Sequence, residues 1–387
     1  MFPKIPAAHT VVAAFLLCCT ACTLAACQPS PKPKGPLFPV VVNGKWGYMD
    51  RNGKVVIKPR FEGAGDFHGE IAEVMENEQW ELVDRSAKVV LSLWKARDVQ
   101  VALMFTEGMA AVYVPRSGYG YVDTAGTMVI PPQFVDAGWF SEGLARVRTS
   151  SGWGYIDKTG RSAVEPRFHN AGDFSEGLAW VRVVTEGAHV FGYIDHTGGF
   201  AIKPKFDEAW NFSDGLAVVA VEDRYGFRRV YIDKTGRVVL KSPTEVAGFF
   251  SEGLCDVNVK GKAHGYMDKT GRFVIKPQFD DAMPFHDGLA TVVVNDKCGL
   301  IDKTGKFVAK PQFDYDREEF YSIDFSEGLA PVRIGGKYGY IDKRGEFVIA
   351  PRFDYARSFE NGLAMVKVGG KFGYMDKTGA YVWKPTM

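Results

Sequence analysis

Past residue 27 the sequence holds only two of its six cysteines, Cys255 and Cys298. That scarcity excludes a small domain stapled by disulfides. A bias of charge is missing too: 47 Lys and Arg stand against 46 Asp and Glu, spread evenly along the chain. Proteins that hold a nucleic-acid backbone gather basic residues into a patch or stripe, so nucleic acid is not an expected partner. No window keeps a sustained helical period of apolar residues. The histidines never fall at a metal-ligand spacing such as His-x-x-x-His, and no nucleophile elbow, phosphate loop or dinucleotide fingerprint occurs. Neither a metal, a cofactor nor a catalytic residue is therefore expected. What the chain has in excess is glycine, 43 residues, and aromatic side chains, 13%. The glycines recur at fixed offsets, which marks turns.

One long uncharged run exists, Val11 to Ala26. It is short for a membrane-spanning helix of about 20 residues and suits the apolar part of a signal peptide. It ends in Leu24-Ala25-Ala26-Cys27, which resembles the lipobox of bacterial lipoproteins. The resemblance implies cleavage before Cys27, a lipid on its thiol, and acyl chains as the membrane anchor. With Gln28 rather than Asp behind the cysteine, it also implies the outer membrane, facing either the periplasm or the medium. Residues 1–26 thus read as signal peptide, 27–39 as an extended Pro/Lys-rich tether, and 40–387 as the folded part.

In that folded part a core of the form aromatic-Gly-Tyr-x-Asp-x-x-Gly recurs. Clear copies begin at Trp46, Tyr119, Trp153, Phe191, Tyr338 and Phe372, and degenerate ones at Trp80, Arg229, His264 and Cys298. The core aspartates run from Asp50 to Asp376 in nine intervals, a mean period of about 36, which is that of a solenoid or propeller repeat. After each core comes a Val-rich run, a Pro, a Phe and an Ala, then Phe-Ser-Glu-Gly-Leu-Ala-x-Val. Two β-rich runs joined by Asp-Lys-Thr-Gly predict a hairpin, with Asp opening the turn and Gly closing it. The Pro ends ladder pairing, and Leu-Ala-x-Val supplies a third strand.

The predicted fold is all-β: about ten three-stranded antiparallel meanders stacked in tandem, because one meander buries too little to stand alone. Ten units exceed the 4–8 blades typical of propellers, and both end units look whole, so an open solenoid-like array is expected, with a closed propeller-like ring as the alternative. Cys255 stands where other units have Ala, and Cys298 where others have an aromatic. These inequivalent slots argue against a bridge between them.

The units resemble the bacterial WG repeat, also called KWG, over residues 40–387. The resemblance implies an envelope-exposed or secreted β-repeat array and brings no catalytic residues. The repeated Ser-Glu-Gly acids (Glu142, Glu176, Glu252, Glu327) are part of the pattern, so they read as turn chemistry and not as an active site. The expected function is a non-enzymatic binding or scaffolding role on a protein partner. A glycan or peptidoglycan ligand is the alternative, stacked on the aromatics that head the cores: Trp46, Trp80, Tyr119, Trp153, Tyr338 and Phe372. A hydrolase would need carboxylates where the pattern breaks, and the insertion holding Asp314, Asp316, Glu318 and Glu319 is such a place.

Overall fold

The repeat's own chemistry is clearest in residues 136–168, where a computed structural model shows four strands: Asp136–Ser141, Leu144–Thr149, Gly152–Asp157 and Ser162–Phe168. The first two are joined by Glu142 (φ 53°) and Gly143 (φ 83°). Two consecutive left-handed residues make the tight hairpin turn whose twist matches that of the strands it joins. Between the third and fourth strands, one oxygen of Asp157 accepts hydrogen bonds from the Thr159 amide (2.8 Å), the Thr159 hydroxyl (2.6 Å) and the Arg161 amide (3.0 Å). The Thr159 hydroxyl does most to hold the Asp157 carboxyl below its usual range. In the fourth strand Phe168 faces Trp153 while Val164 faces Tyr155, so extra residues bulge around Pro166. That bulge brings the backbone close: a Cβ on Gly154 would lie 2.5 Å from the Val164 carbonyl oxygen and 2.6 Å from the Pro166 nitrogen. The glycine of the core is thus set by the proline of the next strand.

The structure describes residues 34–95, 104–185, 187–223, 226–242, 248–259, 263–315 and 322–385. All belong to one compact unit beginning at Pro33. Among the described residues there is no α-helix, and the strands form ten small antiparallel sheets whose order follows the sequence. We number these blades 1 to 10: residues 37–61, 63–95, 109–134, 136–168, 170–206, 208–241, 254–279, 281–314, 329–353 and 355–383. Where the sequence predicts three strands, most blades have four. The Ala-x-x-Phe-Ser segment, read from sequence as a turn, pairs as a first strand, in some blades as short as Asn170–Ala171.

Neighbouring Tyr155 (0% exposed) and Ile156 (4%) are both buried although they point to opposite faces of their strand. One face is covered by the preceding blade and the other by the next. The Tyr155 hydroxyl donates to the carbonyl of Gly172, just after the first strand of blade 5 (2.7 Å), and its ring meets Phe174 at 4.8 Å. The same 17-residue step recurs from Tyr48 to Gly65, Tyr121 to Gly138, Tyr193 to Trp210, Tyr231 to Gly248, Tyr266 to Met283 and Tyr340 to Arg357, at 2.7–3.0 Å. Burial pushes the phenols of Tyr48, Tyr121, Tyr155, Tyr193, Tyr231 and Tyr266 well above their usual range. In the four-stranded blades the first strand packs on the second or third strand, by repeat position, of the blade before.

Blade 1 also packs on blade 10. Phe38, Val40 and Met49 share one buried cluster with Leu363, Met365 and Tyr374, and Phe38 meets Tyr374 edge-on at 5.5 Å. The chain is therefore a closed ten-bladed propeller, the alternative reading, and not the open array favoured from sequence. The physical reason lies in the end units. An open array needs polar outer faces on its terminal repeats. Units 1 and 10 keep the full apolar pattern there, and each face covers the other. No blade has to be shared between the chain ends. Cys255 and Cys298 are both buried and unpaired, and burial pushes their thiols up to about 12 and about 11.

Two substitutions test the seam. Tyr193→Phe removes one buried hydrogen bond and should cost about 1–2 kcal/mol. Phe212→Ala opens a cavity at the same joint and should cost about 3–5 kcal/mol. Urea unfolding should rank them in that order. Equal, negligible losses would mean that this joint contributes little to stability.

Candidate interaction surface

The repeated acids do their work across the seams. Glu107 of the turn leading into blade 3 accepts the Gly143 amide of blade 4 (3.1 Å) and pairs with Lys158 of the same blade (3.1 Å). Glu142 takes the Gly177 amide (2.9 Å) and His196 (3.0 Å), and Glu176 takes the Gly215 amide (3.0 Å) and Lys234 (3.2 Å). Asp214 meets Lys269 at 2.9 Å, Glu252 meets Lys303 at 2.9 Å, Asp287 meets Lys343 at 3.0 Å and Glu327 meets Lys377 at 2.9 Å. Seven successive seams carry this joint. Hydrogen bonds from their lysines hold Glu107, Glu252 and Glu327 below the usual glutamate range. The neighbouring serine adds a second joint: Ser141, Ser175, Ser213, Ser251 and Ser326 donate to the Phe carbonyl of the next blade at 2.6–2.8 Å. Sequence reasoning took these residues as turn chemistry and missed their reach into the next unit. The signal was there as a basic residue after the core Asp, about fifty residues beyond each acid.

At the other end of the blades, the acid that follows the Pro-x-Phe run caps the next blade's hairpin. Asp207 accepts the Glu222 amide (2.7 Å), Asp280 the Asn295 amide (2.6 Å) and Asp314 the Gly336 amide (2.9 Å). Asp314 is also paired with Lys297 (2.7 Å). Of the four carboxylates that pointed to a hydrolase, only Asp314 lies among the described residues, and it is a joint. Cys27 likewise lies outside the described residues. Among the described residues no helix is long and apolar enough to cross a membrane, and no group of three His, Cys, Asp or Glu could hold a metal.

The six head aromatics pack against their surroundings. Trp46 meets Phe372 across the closing seam at 6.0 Å, and Lys367 lies 5.2 Å over Phe372. Arg146 and Arg148 flank Trp153 at 5.2 and 5.9 Å. Tyr119 pairs with Tyr113 at 5.1 Å, Trp80 packs on the core between blades 2 and 3, and Tyr338 is 8% exposed. The ring leaves other aromatics bare. At the position just before the Phe that precedes the inter-strand turn stand Met104 (56% exposed), Trp139 (48%) and Phe249 (45%), where other blades have Asp66, Asp173 or Asn211; of the three, Trp139 lies in a first strand. Against the neighbouring Gly138 runs an ion pair, Arg146 to Asp173 at 2.8 Å, and Arg146 also donates to the Ala171 carbonyl (2.9 Å). These three apolar side chains depart from the repeat pattern and were not singled out from sequence.

A second departure is Asp256, at the position Arg146 holds in blade 4. Burial pushes its carboxyl up to about 6, and Asp281 adds to the rise. Nearby, His264 lies 2.7 Å from the Asn258 amide and 3.6 Å from Asp281. Burial lowers the His264 pKa, so the ring is neutral near pH 7.

A closed ring of ten small antiparallel sheets, joined by its repeated polar residues, is a β-propeller. The model of the WG containing repeat matches residues 46–80, 119–151, 153–183, 191–225, 265–298, 299–338 and 338–372, more than half of the chain. The chain belongs to the WG-repeat family. A comparison with curated proteins gave no match. Among solved structures it is similar to one described as the eukaryotic initiation factor, at 12% identity and a TM-score of 0.48, covering 90% of this chain and 95% of that one. It is also similar to the computationally designed Ika8 protein (11% identity, TM-score 0.40, covering 73% and 94%). A third is BamB from Moraxella catarrhalis (12%, TM-score 0.33, covering 69% and 94%).

Asp256 gives a pH test with a definite sign. A carboxyl raised in the folded state opposes folding once it must ionise. The opposition is absent below the unfolded value near 4 and complete above about 6. Asp256→Asn should therefore raise the melting temperature by several degrees at pH 7.5 and leave it unchanged at pH 4. A gain equal at both pH values would refute the assignment.

Proposed function

We propose that this chain is a non-enzymatic, lipid-anchored protein of the bacterial cell envelope. It binds a protein partner through the surface that carries Met104, Trp139 and Phe249. The observation that carries this reading is the contrast between two sets of residues. The repeated acids, serines and lysines are engaged in joints between blades, whereas Met104, Trp139 and Phe249 break the pattern and stay bare. Tryptophan is the side chain most enriched in binding hot spots, and Trp139 is 48% exposed. A single acyl chain gives only marginal membrane attachment, so lipidation at Cys27 with further acylation at the new amino terminus would hold the ring at the outer membrane.

In-cell crosslinking and pull-down should enrich one or a few partners. Trp139→Ala together with Phe249→Ser should reduce that enrichment at least tenfold while the ring stays folded. Recovery of abundant porins alone would overturn the reading. Labelled palmitate should enter the chain, and Cys27→Ser should abolish the incorporation and release the protein from the membrane fraction. A second reading rests on the same indole: the exposed face of Trp139 also has the chemistry that stacks on a sugar ring. Co-sedimentation with purified cell wall, lost on Trp139→Ala, would favour that glycan reading.

A further inference from the structure

We infer that the ring opens at one arc, the three consecutive seams that join blades 10, 1, 2 and 3. The inference does not depend on the identity of the partner. Ten seams close the ring, and seven carry the acid-to-cation joint. At the other three the acid position is held by Asn361, Gly35 and Gly69, and these three are adjacent in the ring. The serine position is held there by Glu360, Lys34 and His68, none of which is a hydroxyl donor. Blade 1 also has Pro36 where the next blade elsewhere offers a glycine amide, so this seam lacks donor and acceptor together.

What joins the arc is weaker in kind. Between blades 1 and 2, Arg85 donates to the backbone carbonyl of Gly35, Arg60 donates to the Ala87 carbonyl (3.0 Å) and Glu62 accepts the Glu78 amide (3.2 Å), with no acid-to-lysine pair at the Gly35 turn among the described residues. Between blades 2 and 3, the Glu70 amide donates to the Thr124 carbonyl at 2.8 Å. Arg357 of blade 10 reaches Asp66 of blade 2 at 3.3 Å, but the two side chains are 51% and 42% exposed, and such pairs contribute little. The closing seam itself rests on apolar contact, Phe38 on Tyr374 and Trp46 on Phe372. Arg51 of blade 1 occupies the place of the latch lysine, against the backbone at Gly362 beside Asn361. It is a cation facing an amide instead of a carboxylate. A ring of otherwise equal joints parts first where charge-assisted hydrogen bonds are fewest. Parting there uncovers Phe38, Trp46, Phe372 and Tyr374, an aromatic face that the closed ring hides.

Hydrogen exchange read by mass spectrometry on the full chain tests this. Amides of Leu37–Val42, Lys45–Asp50, Leu363–Val368 and Lys371–Asp376 should exchange about tenfold faster than the matching strands of blades 5 and 6. Asn361→Glu supplies the missing acid opposite Arg51. It should slow exchange about threefold in blades 1 and 10 and leave blades 5 and 6 unchanged. Glu176→Gln should do the reverse, speeding exchange in blades 5 and 6. Exchange in blades 1 and 10 no faster than in blades 5 and 6 would overturn the inference, as would Asn361→Glu without a local effect. If either variant fails to fold, the exchange map of the unaltered chain decides alone.

Discussion

Each blade of this ring has two apolar faces and can cover neither by itself. Everything else in the structure answers to that constraint. The buried tyrosine in seven of the ten cores shows how tightly: its hydroxyl is satisfied by a carbonyl 17 residues on, at the next blade, and its ring is capped by that blade's Phe. A unit therefore completes its neighbour's core before its own. Two apolar faces per unit also decide the architecture, since a linear stack would leave one bare at each end. Here Phe38 and Met49 at one end and Met365 and Tyr374 at the other remain apolar, and they bury each other.

Much of this was legible in the residues. Asp157 opening a turn and Gly160 closing it follow from local chemistry, and so does the hairpin between Trp153 and Val164, because strand propensity and turn geometry are properties of neighbours in sequence. The first strand was not legible. Asn170–Ala171 is two residues long, and its pairing with Val181 and Arg182 is set by the position of the neighbouring blade. Closure was hidden for a different reason. The counts usual for propellers pointed away from ten, and the apolar character of units 1 and 10 looked like ordinary repeat content until the faces met. The role of Glu176 was half visible: the left-handed turn could be read from Glu-Gly, the reach to Lys234 could not.

The site differs from the fold in how it can be read. A repeated residue serves the array, so function has to be sought where a unit departs from its siblings. The departures found from sequence were the head positions Arg229, His264 and Cys298, and in the structure they remain part of the packing. Arg229 lies 4.8 Å over Trp210, and Cys298 is 1% exposed. The departures that stay bare, Met104, Trp139 and Phe249, share the position just before a buried or half-buried Phe, and of the three Trp139 lies in a first strand. Their exposure is set by how the blades pack in the ring, which the residues alone do not show.

The separation in sequence of these contacts has its own consequence. The tyrosine joints span 17 residues and the acid joints roughly fifty, whereas Arg357 and Asp66 are 291 apart. Assembly can therefore run forward blade by blade as the chain emerges, with each new unit adding to a growing edge. The face around Phe38 must wait for the last blade. Loop entropy rises only with the logarithm of length, so that wait adds little to the cost of closure. It does create a competitor. During the wait, the waiting face fits the last blade of any other copy as well as its own. A head-to-tail contact of that kind does not close on itself, and it can propagate from copy to copy. Whether a given molecule becomes a ring or a link is then a question of concentration and not of affinity.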